Sequence, residues 1–181
     1  MFLNRWLQEH GYLTLADGKA DGLEGITPSS LAYSLDPGRI YVNLHGREPQ
    51  GAVEPDGQYE ELVSRLASEL AELQDLETGE SMIEDVLRGR DIYRGPCVEA
   101  APDLLLMSRP GYDLKGSFDS SCVVKDSALR GMHTFDDALL YVRGRKTVRA
   151  ALSIVDVMPT LLELLRVPVP GDVDGKVCVG T

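Results

Sequence analysis

The sequence predicts an α/β fold with a mainly parallel sheet, residues 1–181 forming a single domain. Three observations carry this expectation. Apolar runs of strand length occur at Arg39-Ile40-Tyr41-Val42-Asn43-Leu44, Asp103-Leu104-Leu105-Leu106-Met107 and Ala138-Leu139-Leu140-Tyr141-Val142. Helical periodicity lies between and after them, and buried strands separated by helices favour a parallel sheet. A length of 181 residues also allows a sizeable core.

In chain order, Phe2, Leu3, Trp6 and Leu7 recur at helical spacing, and Gly11 is a stop signal, although no capping residue precedes them. Tyr12-Leu13-Thr14-Leu15 alternates like a short strand. The stretch Ala16 to Gly25 is rich in Gly and Asp but lacks the ligand spacing and closing Glu of a calcium loop, so it reads as a plain turn. After the Arg39–Leu44 strand comes the polar turn His45-Gly46-Arg47-Glu48-Pro49-Gln50-Gly51. From Gln58 to Leu73 the residues Tyr59, Leu62, Val63, Leu66, Ala67, Leu70 and Leu73 form one stripe, the clearest amphipathic helix in the chain. Ser81 to Tyr93 fits helix and strand equally. Asp156 is placed to cap a last helix through Pro159, Leu161, Leu162, Leu164 and Leu165, which Pro168 and Pro170 end.

Acidic residues outnumber basic ones, 29 to 18, for a formal charge of -11. Such a surface repels phosphate backbones, which argues against a nucleic-acid polymer as partner. It is also the ordinary state of a cytoplasmic protein, and that is the expected location. No apolar run approaches the roughly 20 residues of a membrane span. Met1 to His10 is amphipathic and interrupted by charge, unlike a signal peptide. Cys97, Cys122 and Cys178 are too widely spaced for a zinc or redox motif.

Of the three histidines, His10 suits a helix C-terminus, where a cation is favoured. His45 sits in a polar turn that faces either a cleft or solvent. His133 follows Gly131-Met132 at the mouth of the Ala138–Val142 run, where an α/β protein would present a ligand site. A catalytic zinc ion needs three protein ligands, and no second His or Cys lies at metal spacing from His133. Asp136 is three residues on and need not point the same way. Ser120, Ser121 and Thr134 lack a nucleophile elbow and a base. No phosphate-cradling glycine loop is present.

Several stretches, in order, resemble the type I phosphodiesterase/nucleotide pyrophosphatase family of the alkaline phosphatase superfamily. Asn4-Arg5-Trp6-Leu7 with Gly11-Tyr12-Leu13 is similar to the family's N-x-W-L…N-G-Y-L. Ile40-Tyr41-Val42-Asn43 through Gly46-Arg47-Glu48-Pro49 and Gly51 is similar to I-Y-x-N…G-R-x-P-x-G. Tyr93-Arg94-Gly95-Pro96 then precedes Ala101-Pro102-Asp103-Leu104. Gly131-Met132-His133 with Asp136 resembles G-x-H-x-x-D. Asp156-Val157-Met158-Pro159-Thr160-Leu161 and Asp172-Val173-Asp174-Gly175 resemble D-I-A-P-T-I/L and D-M-D-G.

The resemblance implies part of an alkaline-phosphatase-like sheet flanked by helices, and a hydrolase of phosphodiester or pyrophosphate bonds in small nucleotide-like molecules. It implies a pair of divalent metals, usually zinc, flanking a Thr or Ser nucleophile. Of that machinery only His133 is carried over, as a metal ligand; no catalytic or substrate-binding residue is assigned. Family members place the nucleophile and remaining ligands before the W-L…G-Y-L stretch. The chain is therefore expected to be the C-terminal segment of such a hydrolase, inactive by itself and not holding metal tightly. Thr134 and Asp137 depart from the basic residue and glycine common there, and Asp156 and Asp174 read as a cap and a turn residue. Two alternatives stand beside this. One is a non-catalytic module that binds a ligand or partner, with its bare sheet edge paired to another chain. The other is the phosphoglycerate mutase or sulfatase branch of the superfamily.

Overall fold

The computed structural model describes residues 1–16, 22–128, 131–133, 138–148 and 151–180. They belong to two compact units, Met1–His133 and Thr134–Thr181.

The first unit contains helix α1 (Leu3–Glu9), strands β1 (Ala32–Tyr33) and β2 (Arg39–Val42), helix α2 (Gly57–Ala71), strand β3 (Ile83–Arg88), the short helix α3 (Gly89–Ile92) and strand β4 (Leu104–Ser108). α1 has no side-chain cap. Its first-turn amides are satisfied instead by distant carbonyls, Phe2 N donating to Val123 O at 2.7 Å and Leu3 N to Lys115 O at 2.9 Å. Asn4, fully buried, clamps the helix to the β1–β2 turn: its Nδ2 donates to Ser34 O and Gly116 O, and its Oδ1 accepts from Ser34 N. α2 is capped by Asp56, whose carboxylate accepts from Gln58 N at 2.9 Å. Leu62, Val63, Leu66 and Leu70 form its buried face.

The sheet order is β1-β2-β4-β3, and every hydrogen-bonded pair is antiparallel. This overturns the expected mainly parallel, alkaline-phosphatase-like sheet. β2 and β3, joined through α2, both run antiparallel to β4 and hence parallel to each other. A helical crossover fixes their relative direction, but β4 takes the slot between them, with Leu105 opposite Arg39 on one side and Leu87 on the other. The helices between the strands did not make neighbouring strands parallel, because the strand that intervenes runs the opposite way. Residues 81–93 resolve as the edge strand β3 followed by α3. A bulge between Ile83 and Asp85 and the exposed Glu84 and Asp85 blunt that edge.

The core joins the sheet to both longer helices through Leu3, Leu7, Ile40, Val42, Leu66 and Leu104, all fully buried. Gly89 is required at the β3–α3 junction. Its amide donates to Asp103 O at 2.8 Å, and a Cβ there would stand 1.8 Å from Pro102 O.

The second unit has one α-helix among the described residues, α4 (Val157–Leu164), entered through a 3-10 turn at Ile154–Asp156. No strand forms at 138–142, where Leu139 is almost wholly exposed; among the described residues the apolar run has no sheet neighbour to satisfy its backbone. Asp156 is buried but does not cap α4. Its carboxylate accepts from Ser153 N at 2.9 Å and Lys176 N at 2.8 Å, closing a capping box on the 3-10 turn. The loop carrying Lys176 comes so close that a Cβ on Gly175 would lie 1.9 Å from Val155 O. Two sequence stretches twenty residues apart are thereby locked together. Thr160 Oγ1 extends the lock, donating to Asp156 O and accepting from Cys178 N. α4 ends in a Schellman-type turn: Val167 N donates to Leu162 O, Arg166 N to Glu163 O, and Arg166 adopts φ 56°.

Candidate functional site

The densest polar group of the first unit lies where β2 ends, β4 begins and α2 starts. Asp103 enters β4 with its carboxylate 5% exposed. Such a charge must be paired and hydrogen-bonded. Val42 N donates to its Oδ2 at 2.6 Å, Arg47 Nη2 to the same oxygen at 2.7 Å, Arg47 Nη1 to Oδ1 at 3.1 Å, and Tyr59 Oη to Oδ1 at 2.7 Å. The two parallel N–H bonds make the Arg47 contact bidentate. Arg47 also donates from Nη2 to Val42 O at 2.7 Å and from Nε to Glu48 at 3.0 Å.

These contacts set the local electrostatics. Burial opposes the charge on Arg47, but the hydrogen bonds and attraction of Asp103, then of Glu48, outweigh it and hold the guanidinium pKa above its ordinary value. Burial raises the Tyr59 phenol, and its hydrogen bond to Asp103 raises it further. Tyr33 is pushed well up by burial and then by its bond to Glu48. A cleft of about 580 Å³ opens beside the cluster, lined by Arg47, Tyr59, Glu60, Arg90, Pro102 and Asp103. Arg90 lies over the Tyr59 ring, 5.0 Å from its centroid, and pairs with Glu60, which Arg88 also reaches.

The polar groups of this cluster are satisfied by one another. Arg47 is neutralised by two carboxylates, and Asp103 is filled by four donors. The Tyr59 hydroxyl does face the Asp103 carboxylate, but that carboxylate is already held by three other donors. The phenol's pKa is also raised, so the pair is not set up to form a nucleophile. Chemically the arrangement is a lock that fixes the His45–Gly51 turn and α2 onto the sheet.

His133 lies elsewhere in the first unit. Its imidazole is exposed and makes no hydrogen bond or ion pair among the described residues. The neighbouring Met132 Sδ accepts from Gly111 N at 2.9 Å, which seats Gly131–His133 beside the Pro110–Gly111 turn. Thr134, Asp136 and Asp137 lie outside the described residues, as do residues 17–21 of the Gly/Asp-rich stretch. Among the described residues no three or more His, Cys, Asp or Glu side chains come together as a metal site. Among the described residues His133 thus belongs to no such group, and no chemical step is derived through a metal. His45 is exposed and pairs with Glu54 at 3.1 Å. His10 stacks on Trp6, with ring centroids 4.1 Å apart, and its Nδ1 lies 2.9 Å from Trp6 O at the end of α1. None of the three histidines joins the Asp103 cluster.

Sequence patterns did not single out Tyr59 as more than a member of the helix stripe, or Arg47 and Asp103 as more than motif letters. The available signal was an aspartate leading into a strand as apolar as Leu104-Leu105-Leu106, since a carboxylate so placed needs a cation. No protein-family model, curated protein or solved structure matches the chain. No helix among the described residues is long and apolar enough to cross a membrane.

Proposed function

We propose that this chain is the C-terminal segment of a hydrolase of phosphodiester or pyrophosphate bonds, resembling the type I phosphodiesterase/nucleotide pyrophosphatase family. In this reading His133 contributes one ligand to a divalent-metal centre, zinc being the expected ion. The other ligands and the attacking oxygen come from outside the described residues. The supporting observation is the ordered run of family-like stretches from Asn4 to Gly175, with an exposed, unengaged imidazole at the position of the family's G-x-H. Paired metals suit such chemistry because they offset charge growing on phosphoryl oxygens. The Asp103 lock would serve by holding the sheet and α2 as a rigid support rather than by touching substrate.

Two measurements test the reading. Titrated with zinc and offered a bis-nitrophenyl phosphodiester, the 181-residue chain is expected to bind weakly and show no turnover. Turnover abolished by His133→Ala would overturn the incomplete-site reading. Sequencing the coding region upstream of Met1 is expected to reveal a Thr or Ser nucleophile with Asp and His ligands. Its absence there and in any co-purifying subunit would leave the second reading, a non-catalytic module that binds a partner. The exposed apolar face of α4 favours that alternative.

A further inference from the structure

We propose that a small pocket lined by the 3-10 turn at Leu23–Gly25 and the His45–Gly51 turn binds an organic ammonium ion with a short apolar body. Its volume is about 250 Å³, below the roughly 300–1,000 Å³ of sites for drug-sized ligands. Ile26, Pro49 and the ring of the buried Tyr33 supply apolar wall, while Asn43, Glu24 and Glu48 supply the polar part. Asn43 is the fixed point, with only 3% of its surface exposed. Its Nδ2 is fully used, donating to Ser30 O at 2.8 Å and to Gln50 O at 2.9 Å. Its Oδ1 accepts no hydrogen bond among the described residues. Yet the one buried side-chain polar atom sealed without a partner among them is Gln8 Nε2, so Asn43 Oδ1 is not closed off. Asn43 lines this pocket, and the pocket is where that oxygen is reached.

A buried acceptor held in one orientation, with no donor from its own chain, selects a ligand that donates. Charge narrows the ligand to a cation. The lining includes two carboxylates, Glu24 and Glu48, and no Lys, Arg or His. Glu48 Oε1 does accept from Arg47 Nε at 3.0 Å. Arg47, however, divides one positive charge between Glu48 and Asp103, so one guanidinium against two carboxylates leaves a net negative charge. A carboxylate has about four acceptor sites, so the bond from Arg47 leaves Glu48 room for another donor. The formal charge of -11 draws cations to the surface as a whole. The apolar walls then favour an ammonium carrying a hydrocarbon body over a bare metal ion, for which no group of three or more His, Cys, Asp or Glu gathers among the described residues. Apolar walls around a few fixed polar atoms are the usual make-up of a small-molecule site. The inference does not depend on the hydrolase reading.

Titration of the intact, isotope-labelled 181-residue chain with n-butylammonium tests it, followed in nitrogen–proton correlation spectra. The expected result is a saturable shift of the Asn43 side-chain amide at millimolar ligand. The neutral isostere n-butanol should bind about tenfold more weakly, the difference between a charge-assisted hydrogen bond and a neutral one. Glu48→Gln and Glu24→Gln should each weaken n-butylammonium binding several-fold, with the fluorescence of the buried Trp6 as the check on folding. Glu24 is exposed, so its variant does not put the fold at stake. Shifts that fail to saturate, that spare Asn43, or that n-butanol reproduces at equal concentration would overturn the proposal. Unchanged affinity in Glu24→Gln would do the same, and that variant decides alone if Glu48→Gln does not fold.

Discussion

The two units solve the problem of a small core in different ways. Met1–His133 buries a contiguous set of apolar side chains between a sheet and two helices, and its polar lock at Asp103 sits at the rim of that core. Thr134–Thr181 has far fewer residues to work with. Among those described, its most buried side chains include Asp156, Pro159, Thr160 and Cys178, while Leu139, Ile154 and Leu165 face outward. A short segment cannot bury enough surface to stand on hydrophobic transfer alone, so directional hydrogen bonds carry more of its structure. The difference teaches that the same residue type, a buried aspartate, has unlike roles in the two units. Asp103 reinforces an existing core, whereas Asp156 largely organises its own unit.

Substitution of the two aspartates should break the comparison most sharply. Asp103→Ala leaves Arg47 buried without its bidentate partner, and a loss of about 3–5 kcal/mol is expected in the first unit. The single tryptophan, Trp6, is buried there, so its fluorescence in a urea titration reports this unit. Asp156→Ala should leave that transition in place. It orphans the amides of Ser153 and Lys176, at about 1–3 kcal/mol for each one left unsatisfied. The readout is the thiol reactivity of Cys178, which is fully buried in the second unit. If Asp156→Ala moved the Trp6 transition as far as Asp103→Ala does, the two units would not be separate cooperative bodies.

Alkaline pH should sharpen the contrast with a smaller effect. Tyr12, Tyr33, Tyr41 and Tyr59 all have pKa values raised above 10.0 by burial first, and all lie in the first unit. The unfolded chain releases these protons near pH 10 and the folded one only higher. Their stabilising contribution is therefore complete below about pH 10 and lost as pH rises through the folded values. The Trp6 urea midpoint should hold from pH 8 to 9.5 and fall beyond, less steeply in Tyr33→Phe. A fall beginning below pH 9 would show that other groups control it.

The smallest expected effect concerns the end of α4. Arg166 holds φ 56°, a left-handed conformation that costs an L-residue about 1 kcal/mol and glycine almost nothing. Arg166→Gly should slow Cys178 labelling up to a few-fold and leave the Trp6 transition unmoved.

Local patterns revealed much of the first unit. The stripe through Leu62, Val63, Leu66 and Leu70 became α2, and the runs at 39–44 and 103–107 became β2 and β4. Away from the Asp103 cluster, His133 was singled out in the sequence because few residue types bind metals and Gly131 lies two positions before it. The Asp103 lock was not visible, because its arginine lies 56 positions away and its tyrosine 44. The run 138–142 shows the opposite failure, since strand-like composition formed no strand. Asp156 reads as an N-cap by position, yet the approach of Gly175 turned its carboxylate towards Lys176 N.

The sequence by itself determined where α1, α2, β2 and β4 form, how α1 ends and which faces of α1 and α2 are apolar, because those properties depend on residues within a few turns of one another. Only the tertiary structure decided that β4 lies between β2 and β3, which makes every pairing antiparallel, and that Asp103 rather than a histidine gathers the polar groups. Strand adjacency and long-range charge pairing are set by competition among distant segments for the same neighbours, and no local period encodes its outcome.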